Sequence, residues 1–182
     1  MLQSLAALPL AASPASAADA AWSNEFAKRL RDDFLAHWRS TREYTLEVLG
    51  IMPADKLDFK PSDEQRTFAE QLEHLARAND AYYSRFEKEL ETPRPEPPAE
   101  LTKESLRQYL TASFDYSEAV LEAVTEADFM RRDLILREPH SAQDVFLRGY
   151  MHTAHHRGQV ITYLRILGIE PPLWRFPGQG DQ

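Results

Sequence analysis

Between Trp22 and Met52, large or semi-polar side chains recur at Phe26, Leu30, Phe34, Thr41, Tyr44 and Val48, the three-and-four spacing that lines one side of an α-helix. The spacing predicts a long first helix over 22–52, stopped by Pro53. Residues 52–65 hold two prolines and lose the period, so they read as a connecting loop. A second helix opens at Thr67. Thr67 and Glu70 stand at the spacing of a reciprocal cap that satisfies two otherwise unpaired amides, and an apolar face follows through Phe68, Leu72, Leu75, Tyr82 and Phe86. "TPRPEPPAE", Thr92 to Glu100, ends it, because four prolines in nine residues cannot continue a helix and favour an extended crossover.

The period returns from near Thr102 to about Val124, with Leu106, Tyr109, Leu110, Phe114, Ser117, Val120, Leu121 and Val124 on the inner side of a third helix. Residues 125–140 form a link, with a short extended piece predicted at Asp133 to Leu136. Ser141 and Asp144 repeat the cap spacing before a fourth helix, which Gly168 can end in the left-handed conformation and Pro171 and Pro172 cannot prolong. Strand alternation of useful length, internal repeats and a glycine-rich phosphate loop are all absent from the sequence. The pattern therefore predicts an all-α fold, a four-helix bundle with a Pro-rich crossover between helices two and three.

Three of the six histidines fall within five residues of the fourth helix, in "GYMHTAHHRGQV". Its inner arc is drawn by Val145, Gly149, Thr153, Val160, Tyr163, Leu164 and Leu167, and at about 100° per residue His152 and His156 fall inside it, stacked four apart. His155 lies near the edge of the arc and meets solvent. Two imidazoles buried side by side need partners, since an unpaired buried nitrogen costs about 1–3 kcal/mol. A shared cation removes that cost, and His-x-x-x-His on one face is a metal-binding spacing. Hydrogen-bonded core histidines satisfy the same spacing, so a third ligand decides. His74 at the margin of the second helix's stripe and His37 on the inner face of the first are the candidates. His140, before the fourth helix, reads as structural or solvated.

Composition narrows the chemistry. A chain of 182 residues suits one domain, here residues 21–176, followed by a tail at 177–182. The net charge of −8 and pI near 5.3 argue against nucleic acid or an anionic membrane surface as partner, leaving a small-molecule substrate. With no cysteine, a metal must be held by nitrogen or oxygen. Residues 1–20 are rich in Ala and Leu, and the run ending in "ASA" fits either a secretory signal lacking its basic start or a disordered Ala/Pro-rich leader. The first places the mature protein outside the cytoplasm, in the periplasm; the second leaves it cytoplasmic. The aromatics Trp22, Phe26, Phe34, Tyr82, Phe86 and Phe114 are expected in the core.

"FAEQLEHLARA" and "GYMHTAHHRGQVITYLRILGIEPP", with "LGIMPADKLDFKPSDEQRTFAEQLEHL" leading into the second helix, resemble the DinB/YfiT-like family of metal-binding four-helix bundles from about Trp22 to Pro172. The resemblance implies a divalent ion held by His74, His152 and His156, and so prefers His74 over His37. It also implies chemistry of the kind seen in relatives, thiol-dependent S-transfer or isomerisation, in a family many of whose members have no known activity. It allows a homodimer and a low-molecular-weight thiol as cosubstrate. Imidazole ligation suits zinc or nickel, with iron or manganese as further choices.

Three neutral imidazoles leave a divalent ion with an open position, the ligand count of a catalytic site. The expected function is therefore metal-dependent transfer or hydrolysis on a small molecule, against a non-catalytic metal- or ligand-binding module. Gln159, beside the inner face, is a candidate to orient a ligand, His37 a candidate to line the site, and Arg157 is expected off the site face, on the surface. A ferritin-type di-iron centre would need two Glu-x-x-His pairs, and the sequence has none.

Overall fold

The computed structural model describes residues 23–86, 90–130, 132–135, 138–174 and 176–178. Residues 1–20, expected as a leader, lie outside this range, as do Trp22, Leu136 and the last residues of the tail, 179–182. Five helices follow one another: α1 (Glu25–Ile51), α2 (Phe68–Tyr83, continued by a 3₁₀ turn at Ser84–Phe86), α3 (Lys103–Ala123), the short α4 (Glu126–Met130) and α5 (Ala142–Ile166). Helices α1 and α2 each pack against both α3 and α5, so the four long helices run around the bundle in the order α1, α3, α2, α5. Among the described residues no helix is long and apolar enough to cross a membrane.

The caps fall where the sequence puts them. Thr67 and Glu70 make both bonds of the reciprocal cap, and Thr102 caps α3 in the same way with Ser105. At α5 only half of the pattern forms: Ser141 Oγ accepts from the Asp144 amide, while the Asp144 carboxylate turns to the ring of His140. α5 ends in paired backbone bonds, Gly168 N–H to Arg165 O and Ile169 N–H to Leu164 O, with Gly168 at φ +73°. The proline-rich segment carries no helix and is tied to α2 by a two-pronged ion pair from Arg94 to Asp80, at 2.7 and 2.9 Å.

Two expectations need correction. The buried face of α1 is Ala27, Leu35, Trp38, Thr41, Thr45, Val48 and Leu49, rotated from the one expected; Phe26 is 75% exposed. Aromatic and aliphatic residues flank this face on both sides, so spacing alone could not centre it. Trp38 centres it, fully buried, 4.9 Å from the Tyr83 ring and 5.0 Å from Phe114, with its indole N–H donating to Phe114 O. Thr45 tolerates burial because its hydroxyl donates back to Thr41 O at 2.7 Å. The link before α5 is more structured than a loop with one extended piece. Strand β1 (Arg132–Ile135) pairs antiparallel with β2 (Glu138–Ser141), and α4 precedes them, opened by mutual Thr125–Asp128 hydrogen bonds.

The contact that brings α2 close to α5 is Tyr83 against Gly149. Tyr83 is fully buried and stacks on Phe146 at 5.3 Å, and a Cβ on Gly149 would lie 2.9 Å from its ring. Gly149→Ala gains about 0.8–1.0 kcal/mol in helix propensity but overpacks the core, which costs about 1–3 kcal/mol. The ring has no free end to yield, so the expected result is a lower thermal midpoint, checked by circular dichroism melting; a raised midpoint would show that the two helices have slack.

Candidate metal centre

One ring comes from α2 and two from α5. The helices are antiparallel at this interface, since Gln71 meets Gln159 and Tyr163 while Tyr83, a little more than three turns on, meets Gly149. Between these two contacts the structure brings together His74, His152 and His156, each offering one ligand nitrogen within 4.8 Å of the others. The ring centroids are 5.1 Å apart for His74 and His152, 4.6 Å for His74 and His156, and 4.4 Å for His152 and His156.

A chain of hydrogen bonds behind the cluster decides how His156 is protonated. Its Nδ1 lies 2.6 Å from Gln71 Oε1, a carbonyl oxygen that can only accept, so Nδ1 carries the proton and Nε2 presents a lone pair to the other rings. Gln71, 3% exposed, is held in turn: its amide donates to Gln159 Oε1 and, at 3.2 Å, to Tyr163 Oη, which donates to the Arg66 carbonyl at 3.1 Å. His156 Nε2 lies 3.1 Å from His152 Nε2. Buried nitrogens on two rings, His74 Nδ1 and His152 Nδ1, have no hydrogen-bond partner.

The electrostatics keep the rings neutral. Burial, followed by the neighbouring His152, His74 and His155 and by Arg66, pushes His156 down to about 3. Burial, then His74, His155 and Arg66, pushes His152 down to about 4, and burial with Arg66 and Arg77 lowers His74. Uncharged imidazole is the form that binds a cation. The donor set fits a divalent ion: three neutral nitrogens converge, and the two Nε2 atoms are close enough for one ion at about 2.0–2.1 Å from each.

The sequence of the DinB superfamily, taken as a family model, matches residues 37–160, more than half of the chain and all three histidines. The chain belongs to the DinB superfamily. Two solved DinB-like proteins share the fold of this DinB bundle. One, from Bacillus cereus, is 20% identical, with a TM-score of 0.62 over 77% of this chain and 94% of its own. The other, from Bacillus subtilis, is 19% identical, with a TM-score of 0.66 over 79% and 97%. Among curated proteins, none matches the sequence.

The remaining candidates lie elsewhere in the DinB bundle. His37 stands apart from the cluster, in an apolar groove between α1 and α5 with Leu30, Phe34, Leu147 and Tyr150. The side-chain amide of Gln159 is engaged with Gln71 and, at 2.7 Å, with His155, so it supports the cluster from behind rather than facing a ligand. His155 is exposed, as expected. Arg157 is not on the surface. It is 6% exposed, with its guanidinium 5.0 Å from the centre of the Tyr44 ring and a long 3.4 Å bond to Thr41 O. α5 is covered on two flanks, by α2 and by α1, and Arg157 faces the second. Gln71 went unnoticed in the sequence, although it stands three residues before His74 on the same helical face.

His74 and His152 also line a cleft of ≈ 370 Å³ between α2 and α5, together with Ala78, Ala81, Tyr82, Val145 and three arginines. The lowered pKa values carry a sign. In the unfolded chain these rings titrate near 6.5, so below that pH the unfolded state takes up protons that the folded rings refuse. Stability of the metal-free DinB protein is therefore complete above about pH 6.5 and falls as pH drops toward about 5, before carboxylates begin to titrate. Urea midpoints of chelator-treated protein across that window should fall, and the slope should flatten when His152 and His156 are both alanine.

Proposed function

We propose that this protein is a metal-dependent enzyme in which His74, His152 and His156 hold a divalent ion, zinc or nickel first and iron or manganese next, for thiol transfer to a small electrophile. The observation that carries this is the cluster itself: three neutral imidazoles meeting beside an open cleft that His74 and His152 line, the third, His156, fixed by Gln71 with its lone pair turned toward the other two. A bound ion of this kind supplies Lewis acidity, lowering the pKa of a coordinated thiol or water toward neutrality.

The residues of the chain favour the thiol over water. Among the described residues the cleft is lined by no carboxylate, so no Asp or Glu is placed to take a proton from water. A thiol, with a pKa near 8.5, can lose its proton to solvent without such a base. Ala78, Ala81 and Val145 form an apolar floor, and the Tyr82 ring stands 5.8 Å from that of His152, limiting water around the reacting sulfur. Sulfur then bonds to the electrophilic carbon as the leaving group departs with the bonding pair.

Hydrolysis is the competing chemistry. A module that binds a metal or ligand without turnover is the second reading, favoured by the same lack of a carboxylate in the cleft lining. Untagged, metal-loaded protein should couple mercaptoethanol or glutathione to chlorodinitrobenzene, and a chelator should remove that activity. Hydrolysis of nitrophenyl acetate with no thiol present would instead favour the hydrolase, and absence of any turnover the binding module.

A further inference from the structure

We propose that the ligand of this cleft is an anion, a carboxylate-bearing small molecule whose charged end is held by Arg77, Arg85 and Arg148. The inference rests on the reading of the histidine cluster as the reacting end of the same cleft.

The chain is acidic, with 29 Asp and Glu against 21 Lys and Arg, yet the cleft is lined by three arginines and three histidines and, among the described residues, by no acid. Helical spacing produces this. His74, Arg77, Ala78, Ala81 and Tyr82 share one face of α2, with Arg85 following in the 3₁₀ turn, while Val145, Arg148 and His152 share the facing side of α5. Because the two helices are antiparallel here, Arg77, three residues beyond His74, and Arg148, four before His152, lie toward the same end. That end is opposite Gln71 and Gln159.

Two of the three cations are not spent on neighbours, and the third is only loosely paired. Arg77 meets Glu73 at 3.4 Å, in a pair more than half exposed on the arginine side. Arg85 and Arg148 make no ion pair among the described residues. A second acid close by, Asp144, is bonded to His140, whose ring lines the cleft. Like charges gathered over an apolar floor repel one another unless an anion joins them, and the guanidinium fork matches a carboxylate with two parallel bonds. At about 1.5 Å of rise per residue, Arg77 and Arg148 stand about 4.5 and 6 Å along the helices from His74 and His152. At bonds of about 1.5 Å, a carboxylate there stands about four bonds from a group at the histidines, the separation between the sulfur and the carboxylate oxygens of mercaptopropionate.

The test uses the full chain, untagged, as wild type and as the double variant Arg85→Gln/Arg148→Gln, with melting curves to confirm that both fold. Cobalt-loaded protein is titrated with mercaptopropionate and with mercaptoethanol, which differ in the carboxylate, and binding is read from the visible absorption of cobalt. Wild type should bind mercaptopropionate at least about tenfold more tightly, and in the double variant its affinity should fall at least about tenfold more than that of mercaptoethanol. Equal affinities in wild type, or a preference that survives in the variant, would overturn the anion site. Chelator-treated protein is also titrated calorimetrically with succinate. Binding that the double variant loses supports the anion site even if no cobalt is taken up, an outcome that removes only the metal reading; succinate that fails to bind at millimolar concentration overturns the anion site.

Discussion

His156→Ala is expected to abolish metal retention: untagged wild type should carry close to one divalent ion per chain after desalting, and the variant almost none. His156 is the ring whose protonation the structure fixes, with Nδ1 committed to Gln71 and Nε2 facing His152 at 3.1 Å. Removing it takes away one of the three proposed ligands and also strands Gln71 Oε1, a buried acceptor. The loss in affinity should exceed the 10- to 100-fold that removal of an outer partner of a ligand typically brings. His152→Ala should behave alike. His37→Ala should not, because His37 lines a different groove. Elemental analysis of the three variants side by side makes the comparison, and full metal retention by His156→Ala would contradict the assignment.

Gln71→Leu should produce the second large effect without touching a ligand. Gln71 accepts from His156 Nδ1 and donates to both Gln159 and Tyr163, so one amide orients a ring and ties α2 to α5 at once. Leucine leaves the His156 Nδ1–H, the Gln159 carbonyl and the Tyr163 hydroxyl short of a partner in a site that is 3% exposed. Each such group costs about 1–3 kcal/mol. Metal affinity should fall about 10- to 100-fold, since His156 is no longer held in the tautomer that presents Nε2. Gln71→Glu separates the two roles. Its carboxylate still accepts from Nδ1, so metal affinity should survive better than in the leucine variant, while the lost donor to Gln159 and Tyr163 should still lower the melting temperature. Titration with a competing chelator gives the affinities, and equal affinities for both variants would show that orientation of His156 is not what Gln71 provides.

Helix positions and caps were legible because they depend on local chemistry: Thr67 with Glu70, Thr102, and Gly168 before Pro171 act through neighbours in sequence. The face of α1 was not, because flanking aromatics such as Phe34 and Tyr44 blur the stripe and only packing around Trp38 centres it. Arg157 shows the same limit. Its burial depends on α1 covering a second flank of α5, a tertiary fact that no spacing carries. His152 and His156 could be paired from their four-residue spacing, but His74 and His37 could not be separated by angle, since a helical wheel says nothing about which helices become neighbours. Both α1 and α2 border α5, and it is the His74 ring that lies beside the pair, while His37 lines a separate groove. The role of Gln71 depends on the contact of α2 with α5, and so does the row of arginines facing across the cleft.

The most direct measurement is an anomalous-scattering map from crystals of the untagged protein grown with zinc. A single ion should lie about 2.0–2.1 Å from one nitrogen each of His74, His152 and His156, with room left in its coordination sphere toward the cleft. A map in which zinc sits only on surface carboxylates, with the three rings bonded to one another through water, would contradict it.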